Sequence, residues 1–171
     1  MEKIKTAILD KEKTLTAVKF MAILGLSVLA PLFKIQMVTG PMVNALLFIA
    51  TVMLGPSSAM LIGILPSVFS LSVGLLPFVL APMIPFIIIS NAILILTFNY
   101  FQQKNYWLGV VVASVFKYVF LIVTSQTIVN LFLKGMPLAK AVALMMSWPQ
   151  LMTALIGGVV AYLFLKFIKK I

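Results

Sequence analysis

From about residue 14 onward the chain is a succession of long apolar stretches, separated by short segments that contain Pro, Gly or Lys. A helix rising ~1.5 Å per residue needs about 20 apolar residues to cross ~30 Å of hydrocarbon, so these stretches predict transmembrane helices. Spanning β-strands would alternate apolar and polar residues, and that pattern is missing. The sequence therefore predicts an all-α integral membrane protein.

The short segments that contain Pro, Gly or Lys divide the chain into six predicted spans. They are placed at 14–33, 41–55, 57–76, 78–101, 107–133 and 143–168. Pro41 suits the first position of the second helix, and Pro82 and Pro85 should kink the fourth helix or delay its start. We expect a single membrane domain over 1–171, in which 14–168 form a six-helix bundle. The mixed charges of 1–13 predict a cytoplasmic amphipathic start and are not typical of a signal peptide.

Lysines lie at the ends of the spans, and an even number of spans places both termini on one side. Nine lysines share that side: Lys3, Lys5, Lys11, Lys13, Lys19, Lys104, Lys166, Lys169 and Lys170. Three lie on the other side: Lys34, Lys134 and Lys140. The excess of positive charge predicts cytoplasmic termini. The net charge of +10 follows this pattern, so we expect the lipid bilayer, and no nucleic acid, as the surroundings of these lysines.

The missing residue types limit the chemistry. No Asp or Glu follows Glu12, and the chain contains no His, Cys or Arg. Proton relays, metal sites and general bases in membranes depend on those side chains, so we expect no enzyme, no metal and no cofactor. A catalytic pair of Ser114 and Lys117, three residues apart, is the one enzymatic alternative.

Lys117 is the one lysine predicted at depth within a span, about ten residues into the fifth. A central lysine costs roughly 2.5–3.5 kcal/mol, and such residues usually face an interior or a cavity. Since no acid is within the spans, its partner should be a carbonyl, water or an anionic ligand. The alternative is that Lys117 extends its stem towards the interface.

Other polar groups cluster at the predicted outer ends of the spans. Most small residues spaced four apart, such as Ala154/Gly158 and Gly157/Ala161, should serve internal helix packing. The candidate polar side chains are Gln36, Thr39, Asn44, Asn91, Lys117, Ser147 and Gln150, with Trp148 beside the last two. An ordinary external loop, with Thr39 capping the next helix, is the alternative for 34–44.

The run LLFIATVMLGPSSAMLIGILPSVFSL, residues 46–71, resembles the substrate-binding S components of energy-coupling factor (ECF) transporters. In that family a second span ending in Leu-Gly turns tightly into a third span with small residues and an early Gly, here Leu54, Gly55 and Gly63. The segments GPMVN and SVFKYVF are similar to an S-component branch annotated near iron hydrogenase genes in anaerobic bacteria.

The resemblance implies a prokaryotic multi-pass membrane protein that captures a small vitamin or cofactor precursor at the outer face. By family position, the substrate-binding residues would be Gln36, Thr39, Asn44, Asn91, Lys117, Ser147, Trp148 and Gln150. Trp148 or Tyr118 could stack on a ring, and Lys117 or Lys34 could neutralise a carboxylate or phosphate, so we expect an anionic substrate. A transmembrane T subunit and two cytoplasmic ABC ATPases would supply the energy. The family often docks to the T subunit through an Ala-xxx-Ala pair on its first helix. Here Ala17 is followed by Met21, so the resemblance implies Ala17, Ala22 and Gly25 for that contact.

Two alternatives belong to other functional classes. A channel or passive facilitator outside the ECF family would need a continuous polar path or an oligomeric pore. A scaffolding subunit of a larger membrane complex would show no ligand-dependent change in stability.

Overall fold

A computed structural model describes the backbone of residues 2–132 and 139–171, and side chains from residue 11 onward except 79, 132 and 140–142. Within these residues the chain is helical, without strands. Seven α-helices follow one another: α1 Glu2–Leu29, α2 Gln36–Leu54, α3 Pro56–Ser72, α4 Ile84–Phe101, α5 Tyr106–Phe132, α6 Ala139–Met145 and α7 Trp148–Phe167. Two 3₁₀ segments, Ala30–Phe33 and Phe78–Met83, precede α2 and α4. Lys134 lies outside the described residues.

In the described part of the chain, five apolar segments are long enough to cross a membrane: Lys11–Phe33, Gln36–Leu54, Leu80–Phe101, Tyr106–Leu131 and Ala143–Phe167. The sixth apolar helix, Pro56–Ser72, has 17 residues. At ~1.5 Å per residue it covers roughly 25 Å, which is short of the ~30 Å hydrocarbon core. The all-α membrane architecture is thus confirmed.

Some helix boundaries differ from the predicted ones. Residues 2–13, predicted as a cytoplasmic amphipathic start, continue without a break into the first span as part of α1, a 28-residue helix. Helix α2 begins at Gln36, so Pro41 lies inside it and not at its first position. The predicted delay of α4 is confirmed, since the segment containing Pro82 is 3₁₀ and Pro85 lies in the first turn of α4.

The last predicted span is divided into α6 and α7 by a bend at Met146 and Ser147. Pro149 explains the bend, since it has no N–H to donate to the Met145 carbonyl and its ring would clash with that carbonyl in a continuous helix. The Met145 carbonyl oxygen is left free for other donors. This oxygen becomes part of the site described below.

Helix α2 is central and contacts α1, α3, α4 and α7, and its contact with α7 is the most extensive between any two helices. Small residues permit this approach. A Cβ added at Gly157 would lie 2.9 Å from both the Ala45 nitrogen and the Pro41 oxygen. The predicted pairs Ala154/Gly158 and Gly157/Ala161 consist of buried residues, which confirms internal packing, and the same holds for two further pairs with this spacing, Ala59/Gly63 and Gly109/Ala113.

A glycine turn joins α2 to α3. Gly55 has φ of 85° and ψ of 166°, a conformation that side chains disfavour, and Pro56 occupies the first turn of α3. The Leu-Gly ending of the second span is therefore confirmed as a tight turn. Because the turn is tight, α3 packs directly against α2 and brings Ser67 and Ser70 towards the interior.

Candidate substrate-binding cavity

Lys117, on α5, points into the protein. Only 4% of its surface is exposed, and its Nζ donates to Asn44 Oδ1 at 2.7 Å and to Asn91 Oδ1 at 2.8 Å. These partners are carbonyl oxygens, as predicted, although they belong to side chains. The alternative that Lys117 extends towards the interface is wrong.

Both asparagines are held by further partners on neighbouring helices. The Asn91 amide nitrogen donates to the Gly63 carbonyl at 3.1 Å and to Ser67 Oγ at 3.3 Å. The Asn44 amide nitrogen lies 3.5 Å from Thr153 Oγ1. Since each NH₂ group faces an acceptor, each amide oxygen is turned towards the ammonium group. Five helices, α2, α3, α4, α5 and α7, thus fix one cation.

The polar network separates two apolar clusters along α5. Ala113, one turn before Lys117, belongs to a cluster that contains Phe48 and Phe98. Leu121, one turn after Lys117, belongs to a second cluster that contains Leu80 and Met146. A charge between such clusters is poorly solvated, so its hydrogen bonds to the two amides are needed to stabilise it.

A partly enclosed cavity of about 100 Å³ adjoins Lys117, at the end of the bundle where α2 and α7 begin. Six of the eight predicted substrate-binding residues line it: Gln36, Thr39, Asn44, Asn91, Lys117 and Gln150. They come from α2, α4, α5 and α7. Thr39 does not act as a helix cap, since its hydroxyl donates to the Ala30 carbonyl at 3.1 Å.

Ser147 and Trp148 do not line the cavity. The Ser147 hydroxyl donates to the Leu144 carbonyl at 2.7 Å, and Trp148 is 53% exposed. Ser147 and Gln150 are three residues apart, a spacing that would place them on one face of a continuous helix, but the bend before Pro149 interrupts the helix. Tyr118 and Lys34 also lie outside the lining, so neither predicted ring-stacking residue is at the site.

The sequence missed the contributions of α3 and α6. Ser67 and Ser70 line the cavity, and so do Met145 and Met146. The Met145 carbonyl accepts from Gln36 Nε2 at 2.7 Å and from Gln150 Nε2 at 3.1 Å. Pro149 was the available signal, because a proline four residues after Met145 leaves that carbonyl without its helical donor.

Most of the chain matches a known protein family. Residues 17–168 match the model of the ECF transporter substrate-specific component. The chain belongs to this family. Comparison with curated proteins and with solved structures gave no significant match.

Family membership establishes the coarse function. S components are multi-pass membrane proteins that bind substrate for a transporter, and they are not enzymes. They work with T and ATPase modules and bind small molecules. The prediction of membrane transport is confirmed, and the channel and scaffold hypotheses are disfavoured.

The matched region of the S component begins at Ala17, on the exposed side of α1. Ala17, Ala22 and Gly25 are exposed there, whereas Ile23 and Ser27 are buried against the bundle. A Cβ added at Gly25 would meet no atom within 4 Å. This face of α1 is accessible to another membrane subunit.

Proposed function

We propose that this S component captures a small anionic vitamin or cofactor precursor in the cavity beside Lys117. The observation that carries the proposal is a buried ammonium group whose two hydrogen-bond partners in the described structure are neutral amides. An ammonium group has three donors, so one N–H can still reach a ligand. An anionic group on the substrate would supply the missing negative charge in a poorly solvated site.

The proposed topology has six spans and cytoplasmic termini, with the cavity at the outer face. The predicted lysine distribution supports this orientation, since the sequence assigns nine lysines to the side of the termini and three to the other. Helix α3 would be the short span, and its tight turn to α2 would lie on the inner side. Lys104 and Lys166 are at that same end of α4 and α7.

The proposed partners are a T subunit and two cytoplasmic ABC ATPases. The exposed Ala17, Ala22 and Gly25 are the proposed T-subunit contact, because small residues let membrane helices approach closely. The finer assignment to the branch near iron hydrogenase genes rests on the GPMVN and SVFKYVF segments. The first contains Asn44 and the second contains Lys117, and these two residues contact each other.

A Lys117→Met variant tests the anion site. The wild-type protein in detergent is first screened by thermal shift against vitamins and cofactor precursors, since ligand at 100 times its Kd adds ~2.7 kcal/mol of stability. A charge-assisted hydrogen bond contributes about 1.5–3 kcal/mol, so Lys117→Met should weaken binding of the hit roughly 10- to 150-fold. The salt dependence of its affinity should also decrease.

Lys34→Met is the matched control, since Lys34 is exposed and outside the cavity lining. It removes the same charge from the same protein, and affinity should stay within about twofold. Unchanged affinity and unchanged salt dependence in folded Lys117→Met would contradict the anionic part of the proposal.

A further inference from the structure

The cavity lining contains no aromatic side chain in the described part of the chain. Aromatic residues are concentrated at the opposite end of the bundle, where Phe98, Tyr106 and Tyr162 form a continuous group with ring centroids 5.3–5.4 Å apart. Phe86, Phe116 and Tyr118 each adjoin a lining residue in sequence but lie outside the lining, and Trp148 is exposed outside it. A planar aromatic substrate would therefore find no ring to stack on in this cavity.

The apolar part of the lining is aliphatic or thioether. Val43, Leu76 and Ile87 form part of it, together with Met145 and Met146. Methionine has several rotatable bonds and adapts to irregular shapes. These walls suit a short aliphatic chain, which needs contact area and no defined stacking plane.

The polar part of the lining offers mainly acceptors. The hydroxyls of Thr39, Ser67 and Ser70 donate to backbone carbonyls, at 3.1, 3.3 and 2.8 Å. Gln36 and Gln150 turn their amide nitrogens to the Met145 carbonyl, and their amide oxygens have no hydrogen-bond partner among the described residues. Lone pairs on these oxygens can accept hydrogen bonds from a substrate.

The charge of the lining and the volume of the cavity limit the class of substrate further. Lys117 is the one cation in the lining and the lining holds no carboxylate, so a single negative charge is matched. A cavity of 150 Å³ holds a molecule of benzene, so the ~100 Å³ here favours a small substrate, part of which can lie in the open side of the cavity.

We infer that the substrate is a short, non-aromatic monocarboxylate that carries hydroxyl or amide N–H groups. The carboxylate accepts from Lys117, the hydroxyl or N–H groups donate to the Gln36 and Gln150 oxygens, and the aliphatic chain contacts the methionines. This inference rests on the proposed function and specifies the substrate class of the same site.

Thermal shift of the detergent-purified full chain tests it with four probes at millimolar concentration. 2,4-Dihydroxybutyrate has the inferred groups, butyrate lacks the hydroxyls, 2-hydroxy-γ-butyrolactone lacks the charge and the 4-hydroxyl, and nicotinate is an aromatic monocarboxylate without hydroxyls. 2,4-Dihydroxybutyrate should bind at least about tenfold more tightly than each of the other three, because each lacks at least one recognised feature. Lys117→Met should abolish that preference over the neutral lactone.

Gln150→Met provides a second test that keeps the cation. It removes one acceptor, so the preference for 2,4-dihydroxybutyrate over butyrate should fall about threefold or more. Ser147→Ala is its control, since Ser147 is outside the lining, and the preference should not change.

The outcomes separate this inference from the proposed function. Stabilisation by nicotinate equal to or above that by 2,4-dihydroxybutyrate, and dependent on Lys117, overturns the non-aromatic class and leaves the anion site standing. Equal binding of butyrate and 2,4-dihydroxybutyrate overturns the donor requirement. If neither the aliphatic nor the aromatic monocarboxylates give a thermal shift that depends on Lys117, this inference fails. If Lys117→Met also leaves the affinity for the vitamin hit unchanged, the proposed function fails.

Discussion

At the scale of single residues, Lys117 shows how a membrane protein can hold a charge without an acid. Its ammonium group is buried and hydrogen-bonded to two amide oxygens. The amide dipoles stabilise the cation only because their nitrogens are fixed by acceptors on α3 and α7. The two asparagines differ in this respect, since Asn91 has two close acceptors and Asn44 has one distant one.

This difference predicts unequal effects of removing the two amides. Asn91→Ala should lower the free energy of unfolding by about 2 kcal/mol, and Asn44→Ala by about 1 kcal/mol, because interhelical hydrogen bonds in membranes average ~0.6 kcal/mol and reach ~1.7. Reversible denaturation of both variants in the same detergent measures the difference. Equal losses would show that the additional bonds of Asn91 add no stability.

At the scale of helices, close packing depends on where glycine lies and not on its number. Gly157, on α7, faces α2, and the nearest atoms to an added Cβ are the Asn44 Cβ at 2.8 Å and two backbone atoms of α2. Gly25, on α1, faces away from the bundle with no atom within 4 Å. Both glycines are inside helices, so the intrinsic helix propensity of glycine applies equally at the two positions.

Gly157→Ala and Gly25→Ala therefore form a matched pair. Gly157→Ala should destabilise the protein by about 1–3 kcal/mol, because backbone atoms cannot move away easily. It should also weaken substrate binding by displacing Asn44. Gly25→Ala should be neutral or stabilising by up to ~1 kcal/mol, from helix propensity alone.

Thermal unfolding and ligand titration of this pair supply the measurements. A neutral Gly157→Ala variant would mean that α2 and α7 are not in close contact. A strongly destabilised Gly25→Ala variant would mean that the face of α1 that points away from the bundle is covered in the isolated S component.

At the scale of the whole molecule, helices of alternating direction place different types of side chain at the two ends of the bundle. The polar cavity lies at one end, and the aromatic group with Lys104 and Lys166 lies at the other. The proposed topology puts the cavity end outside. An external nutrient would then reach Lys117 directly, and the lysine-rich end would face the ATPases.

Single-cysteine labelling in intact cells tests this orientation, because the chain has no cysteine of its own. Lys34→Cys and Lys104→Cys place exposed thiols at opposite ends. A membrane-impermeant maleimide should label Lys34→Cys in intact cells and Lys104→Cys only after permeabilisation. The reverse pattern would place the cavity on the cytoplasmic side and contradict the proposed topology.

The sequence by itself determined the membrane class, the positions of most helices and the identity of Lys117 as the cation without an acidic partner. These follow from apolar length, from proline and glycine chemistry and from the absence of acids, which are all local or compositional properties. The Leu54-Gly55-Pro56 turn and the delayed start of α4 were predictable for the same reason. The family resemblance rested on these patterns.

Only the tertiary structure decided which polar groups meet Lys117. Asn44 and Asn91 lie 73 and 26 residues from it along the chain, and no local pattern encodes such distances. Ser67 and Ser70 line the cavity because α3 turns back against α2. Ser147 and Trp148 lie outside it because α7 begins after a bend. Helical spacing predicts neighbours only within one continuous helix, whereas a cavity depends on how separate helices pack.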